Sequence, residues 1–184
     1  LLGERLEQHD RARELCKDLL KEDPDNLEAY EILEWSYALK HDARELLEIW
    51  LKKLEILDDP EARNSLLFKS ATIQEDILRD EDAAIKSYMQ MLENDQNAQH
   101  APEALERLLR KKERFDELSE FYRQRADYAS DNEARSEYLQ KLGVVLAREL
   151  HKNEEAVEVL GEALSNNPTS KASRRALESL LFST

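Results

Sequence analysis

Residues 59–94 of this chain are written twice. Shifted by 72 positions without a gap, they fall on residues 131–166, so that DPEAR at 59–63 meets DNEAR at 131–135. Leu67 meets Leu139, Leu78 meets Leu150, Ala84 meets Ala156 and Leu92 meets Leu164. The register runs beyond the stretch: Ala12, Leu20 and Asp23 meet Ala84, Leu92 and Asp95, and Leu33-Glu34 meets Leu105-Glu106 and then Leu177-Glu178. Of the 112 positions that can be compared, 28 are identical, against roughly ten expected by chance from the usual abundance of a few residue types. A fixed period of this size means stacked modules that share a core along a line. The spacing divides the chain into a partial unit 1–24, units 25–96 and 97–168, and a partial unit 169–184.

The modules are helical. Charged residues make up 37% of the chain, Gly occurs three times and Pro four times, and runs of β-branched residues are nearly absent, so strands are not expected. Ala12, Leu15, Cys16, Leu19 and Leu20 form one amphipathic stripe over residues 10–22, closed by Pro24. The next helix, 27–40, carries Ile32, Leu33, Trp35 and Tyr37 on its apolar face, and the third covers 43–57. Asp59-Pro60-Glu61 supplies a cap acceptor, a fixed φ at the first helical position and a negative charge at the positive end of the dipole. It opens a long helix over 61–79. The charged connection 79–82 follows, then a helix ending near Asn94, and then helices over 101–112, 115–129, 132–150, 154–166 and 170–181. All four prolines fall at boundaries. Short connections between helices of this length make neighbours antiparallel, and stacked hairpins give a right-handed superhelix of four to five helix pairs with a concave inner wall.

Leu142-Gly143 with Leu146, followed by Ala156, Leu160, Ala163 and Pro168, is the best example of a pattern that also includes Ala12, Cys16 and Pro24, and Ala84 with Tyr88. It resembles the tetratricopeptide repeat. Small residues at Ala12, Ala71, Ala84, Gly143 and Ala156 stand where two helix backbones come close. The first hairpin of each unit departs from the pattern: Leu46 and Leu118 replace the close-contact alanine, and Glu34, Glu106 and Glu178 stand where Gly or Ala is usual. A looser or rotated packing is expected there. The half-a-tetratricopeptide repeats of RNA-processing scaffolds are a second resemblance, suggested by Trp50 and Tyr122.

Little here supports chemistry. His9, His41, His100 and His151 lie in different modules, mostly at turns, with no spacing that would bring two imidazoles to one metal. The run 79–82 lacks the alternating oxygen ligands and the glycine of a calcium loop. Three glycines leave no phosphate loop, and Cys16 belongs to an apolar stripe rather than an electropositive pocket. The chain is therefore read as non-enzymatic, with no cofactor and no metal. A net charge of −14 repels a phosphate backbone, which argues against nucleic acid. No apolar run is long enough for membrane insertion. A single cysteine makes no internal disulfide and fits a reducing compartment, the cytoplasm above others. The start at Leu1-Leu2, without Met, reads as a fragment of a longer array.

The resemblance implies an inner wall lined by the first helix of each hairpin. That register places Glu28, Glu31, Trp35 and Leu39 on the wall, then Phe68, Thr72, Glu75 and Asp76, then Glu103, Arg107, Arg110 and Lys111, then Gln140, Val144 and Arg148. The sign of the charge changes along this list, which suits a peptide or helix of a partner protein whose own charges run the other way. The competing expectation is a structural spacer, or a homodimer through the apolar ends Leu1-Leu2 and Leu180-Leu181-Phe182. An RNA-processing scaffold comes third.

Overall fold

The computed structural model describes the backbone of residues 2–182 and the side chains of residues 10–182. Ten α-helices follow one another, with no strand among the described residues. They are α1 (Leu2–Glu22), α2 (Leu27–Lys40), α3 (Ala43–Ile56), α4 (Pro60–Thr72), α5 (Glu81–Asn94), α6 (Ala101–Lys111), α7 (Phe115–Asp127), α8 (Asn132–Arg148), α9 (Asn153–Asn166) and α10 (Lys171–Phe182). Consecutive helices pack on one another as α1 on α2, α2 on α3, α3 on α4, α4 on α5, α7 on α8, α8 on α9 and α9 on α10. This is an all-α array of helical hairpins. It divides into two compact units, Leu1–Leu105 and Glu106–Thr184.

The helix starts follow from their caps. Asn26, Asp42, Asp59, Asp80 and Asp131 each accept a hydrogen bond from the backbone N–H three residues on, satisfying one of the donors that a helix leaves open at its first turn. Pro60 occupies the first turn of α4, where its missing N–H costs nothing.

The turns repeat with the sequence period even where the residues do not. His41 and Glu113, 72 apart, both take left-handed backbone, at φ 54° and 55°, and Arg79 and His151 do so at 58° and 56°. Their hydrogen bonds match as well. Asp42 N–H donates to the Tyr37 carbonyl at 3.2 Å and Arg114 N–H to that of Leu109 at 2.9 Å. Leu78 N–H donates to the Ile73 carbonyl at 3.0 Å and Leu150 N–H to that of Val145 at 3.2 Å. The predicted helix over 61–79 is thus α-helical only to Thr72 and continues as a π-helical turn, Ile73–Ile77. The widened turn inserts one residue without changing the apolar stripe on either side.

The core repeats too. Leu33 and Leu105, Leu46 and Leu118, Leu67 and Leu139, and Ala84 and Ala156 are all buried. A Cβ at Gly143 would lie 2.6 Å from Leu160 Cγ, so any larger residue there would have to displace Leu160.

Three expectations change. Leu15 and Leu19 are exposed rather than in the core, because α2 covers only the other side of α1. Ile32 is also exposed, since the buried face of α2 is Ala29, Tyr30, Leu33 and Tyr37. Loose packing of first hairpins holds for one alone. A cleft of about 710 Å³ opens between α1, α2 and α3, whereas Leu118 and Tyr122 on α7 are fully buried. Leu1 and the side chain of Leu2, offered above as an apolar end, lie outside the described residues.

Candidate interaction surfaces

In the first unit a buried-side ion pair sets the geometry of the surface. Glu34 on α2 receives Lys53 of α3 at 3.2 Å and faces Lys69 of α4 at 3.9 Å. Two antiparallel steps make α2 and α4 run in the same direction. With a rotation of about 100° per residue, Trp35, one residue after Glu34, and Phe68, one before Lys69, then turn to the same side. Both are exposed there, Trp35 at 54% and Phe68 at 37%. Glu28, Glu31, Ile32 and Leu39 share the exposed face of α2 with Trp35. Thr72 follows Phe68 by one turn and is exposed, as is Asp76, while Glu75 is half-buried. Phe68 also stands in a groove of about 750 Å³ whose walls include Glu61, Asn64, Met91, Asn94 and Ala98. Its ring meets the imidazole of His100, centroids 5.6 Å apart. Glu28, Glu31, Trp35 and Phe68 therefore lie on one side of α2 and α4, while Glu75 and Asp76 fall on the π-helical turn beyond α4.

The second unit uses the same framework with different surface residues. Glu106 and Lys141, at the positions of Glu34 and Lys69, pair at 3.1 Å. Their neighbours toward the exposed side are Arg107 and Gln140, where the first unit has Trp35 and Phe68. Arg107 and Lys111 are exposed on α6. Arg110, exposed like them, lies against the buried Tyr122. It donates to the Tyr122 hydroxyl at 2.9 Å, lies 3.5 Å from Glu106, and stands over the Tyr122 ring at 5.9 Å. Lys141 lies over the rings of both Tyr122 and Tyr138, with Arg125 beside Tyr138. Burial works against the Glu106 carboxylate, yet hydrogen bonds from Tyr122 and Lys141 and the charges of Lys141 and Arg110 outweigh it and hold its pKa below the usual range. Burial first, and the Glu106 carboxylate second, push the Tyr122 phenol well above its ordinary value. Sequence reasoning placed Glu106 at a small-residue position and missed this network. The signal available was Tyr122 itself, a polar-tipped aromatic opposite an unexplained acid.

Arg148 ends α8 and lines a separate cleft of about 250 Å³ with Val144, His151 and residues of α10. His41, His100 and His151 occupy left-handed turn positions. Among the described residues no group of three His, Cys, Asp or Glu side chains could hold a metal ion. No described helix is long and apolar enough to cross a membrane.

No family model and no curated protein matches the sequence. Solved structures are similar at the level of the fold. YrrB, described as a tetratricopeptide repeat protein with an unusual peptide-binding site, is 18% identical with a TM-score of 0.45, covering 96% of this chain and 87% of its own. MamA is 18% identical with a TM-score of 0.45, over 90% and 86%. BtubC from P. vanneervenii is 15% identical with a TM-score of 0.48, over 99% and 84%. All three scores lie below 0.5, so the reading of the surfaces rests on this chain's own geometry.

Proposed function

We propose that the chain is a non-enzymatic scaffold for another protein, which it holds through the exposed sides of α2 and α4 in the first unit and of α6 and α8 in the second. One observation carries this reading. The two units keep the same charged framework, Glu34 with Lys69 and Glu106 with Lys141, while the residues beside it change from Trp35 and Phe68 to Arg107 and Gln140. A solvated helix face has no need of an exposed tryptophan and phenylalanine set side by side. Large aromatic side chains at a contact are the ones that supply most of an interface's energy. Glu28, Glu31 and Asp76 around them favour a partner segment that is both apolar and cationic, and Arg107 and Lys111 favour acidic residues. Such complementarity sets orientation and association rate more than affinity.

Selecting peptides from a displayed library on the folded chain, then titrating the recovered sequences, tests the proposal. Trp35→Ala and Phe68→Ala are each expected to weaken those that reach the first unit by about 2 kcal/mol, the scale of an interface anchor. Arg107→Glu with Lys111→Glu is expected to weaken acidic ones. Arg110 is left intact because its loss would disturb Tyr122. Peptides that bind all four variants as well as the parent chain would count against both surfaces. A spacer or self-association role has one observation in its favour, the exposure of Leu181 and Phe182 on α10.

A further inference from the structure

The cleft of about 710 Å³ between α1, α2 and α3 is walled by residues from Lys17 to Ile56, all of them inside one compact unit. Its size is that of a small-molecule site, for which about 300–1,000 Å³ is usual. Leu20, Leu33, Ile49 and Ile56 give it an apolar lining. The 72-residue register shows that these walls are not part of the shared framework. Ile49 and Ile56 meet Phe121 and Tyr128, Lys52 meets Gln124, and Tyr30 meets Pro102 and then Arg174.

Tyr30 is the residue that the packing does not explain. It lines the cleft and is 5% exposed. Its hydroxyl makes no hydrogen bond to a described residue, yet unlike Trp50 Nε1 it is not sealed off from solvent, so the cleft is what reaches it. A buried phenol ordinarily finds a hydrogen-bond partner. Burial raises the Tyr30 pKa, and Lys52, Glu55 and Asp25 are the charges close enough to act on it. The hydroxyl is therefore neutral at ordinary pH and able to accept.

The charges around that hydroxyl do not balance. Each lysine lining the cleft is held by an acid of its own helix, Lys17 by Glu14 at 3.6 Å, Lys21 by Asp18 at 2.8 Å and Lys52 by Glu48 at 2.7 Å. Glu45 acts on both Lys17 and Lys52. Asp25 and Glu55 also line the cleft, and neither is in an ion pair with a described residue. We propose that the cleft binds a small organic cation, a protonated amine carried on an apolar body, with the ammonium beside the Tyr30 hydroxyl, Asp25 and Glu55 and the body against the four aliphatic side chains. An ammonium has three N–H donors and no acceptor, which suits a hydroxyl that can accept and two carboxylates without partners. An anion would gain Lys52 only by drawing it from Glu48, and an uncharged ligand would leave both carboxylates as they are. Trp35 stands five residues after Tyr30, about 140° around α2, so this site is separate from the partner surface proposed above.

Two-dimensional NMR of the whole chain during titration with phenethylammonium, at fixed moderate salt, reads the outcome. Saturable shifts are expected at amides of α1, α2 and α3 around Tyr30. Phenethyl alcohol and phenylacetate, which keep the ring without the positive charge, should bind about tenfold more weakly or less, as loss of a charge-assisted hydrogen bond implies. Methylammonium, which keeps the charge without the body, should give no saturable shift. Tyr30→Phe retains the buried ring and removes only the hydroxyl, so circular dichroism should be unchanged while the dissociation constant rises about tenfold. Asp25→Asn with Glu55→Gln should raise it by a similar factor, the sum of two exposed charge pairs. Trp35→Ala should leave it unchanged. Absence of saturable shifts would overturn the proposal, and so would binding that methylammonium reproduces, since that is only the general attraction of an acidic chain for cations. Variants at Tyr30, Asp25 and Glu55 that bind as tightly as the parent chain would overturn it too.

Discussion

A single missing carbon at Gly143 sets the spacing of α8 and α9. A Cβ there would come within 2.6 Å of Leu160 Cγ and 2.8 Å of Cδ2, and Leu160 is itself 1% exposed. Alanine brings two opposing effects. It gains about 1 kcal/mol of helix propensity over glycine, and it overpacks the contact, which costs about 1–3 kcal/mol. The second wins because Leu160 meets the new atom with its branch point rather than a flexible tip. Gly143→Ala is therefore expected to lower stability by about 1 kcal/mol in urea unfolding. Gly161, the residue after Leu160 on α9, has nothing within 4 Å of its would-be Cβ. Gly161→Ala should stabilise by about 1 kcal/mol. The opposite signs at two helical glycines form the test, and a gain at Gly143 would show that α8 and α9 are not held at the distance described.

Duplication at the level of the element is recorded in the turns more faithfully than in the residues that form them. His41 and Glu113 share nothing chemically, yet both close a helix in left-handed backbone with the same pair of hydrogen bonds. For a residue with a side chain that conformation costs roughly 1–2 kcal/mol, and glycine is the residue that avoids it at the end of a helix. His41→Gly and Glu113→Gly are each expected to stabilise, by about 0.5–1 kcal/mol after glycine's extra chain entropy is counted. Because the geometry is the same, the two gains should be similar in thermal unfolding. Gains of opposite sign would mean that the turns are not equivalent. The helices themselves were legible from the sequence because prolines, cap residues and apolar spacing agree at nearly every boundary. The π-helical turn after Thr72 was not, since an extra residue in one turn leaves the stripe before and after it intact. Nor was the exposure of Leu15, Leu19 and Ile32. A stripe reports which side of a helix is apolar, and only packing decides whether anything covers it. In α2 apolar residues surround the helix, so spacing could not choose between Leu33 and Ile32.

Across the whole molecule, helix pairs differ in how closely they pack. In the second unit Gly143 admits Leu160, and the Ser136 hydroxyl donates to the Ala163 carbonyl at 2.7 Å across α8 and α9. The position of Trp50 is filled there by Tyr122, whose hydroxyl is bonded by Arg110. In the first unit Trp50 Nε1 is buried without a hydrogen-bond partner, and a cleft of about 710 Å³ separates parts of α1, α2 and α3. The exposed aromatic surface of Trp35 belongs to this less tightly closed part. Its residues could be listed from the repeat register, but the contact of Arg110 with Tyr122 could not, because spacing does not show that the tyrosine is packed beside it. Local opening draws on regions with few buried contacts and unsatisfied polar groups. Native-state hydrogen exchange is thus expected to run at least tenfold faster in α2 and α3 than in α8 and α9, after correction for intrinsic rates. Ligand binding at Trp35 would then slow exchange in α2 first, since ordering a loosely packed element is where binding has the most to change. Equal protection of the two hairpins would remove the packing contrast.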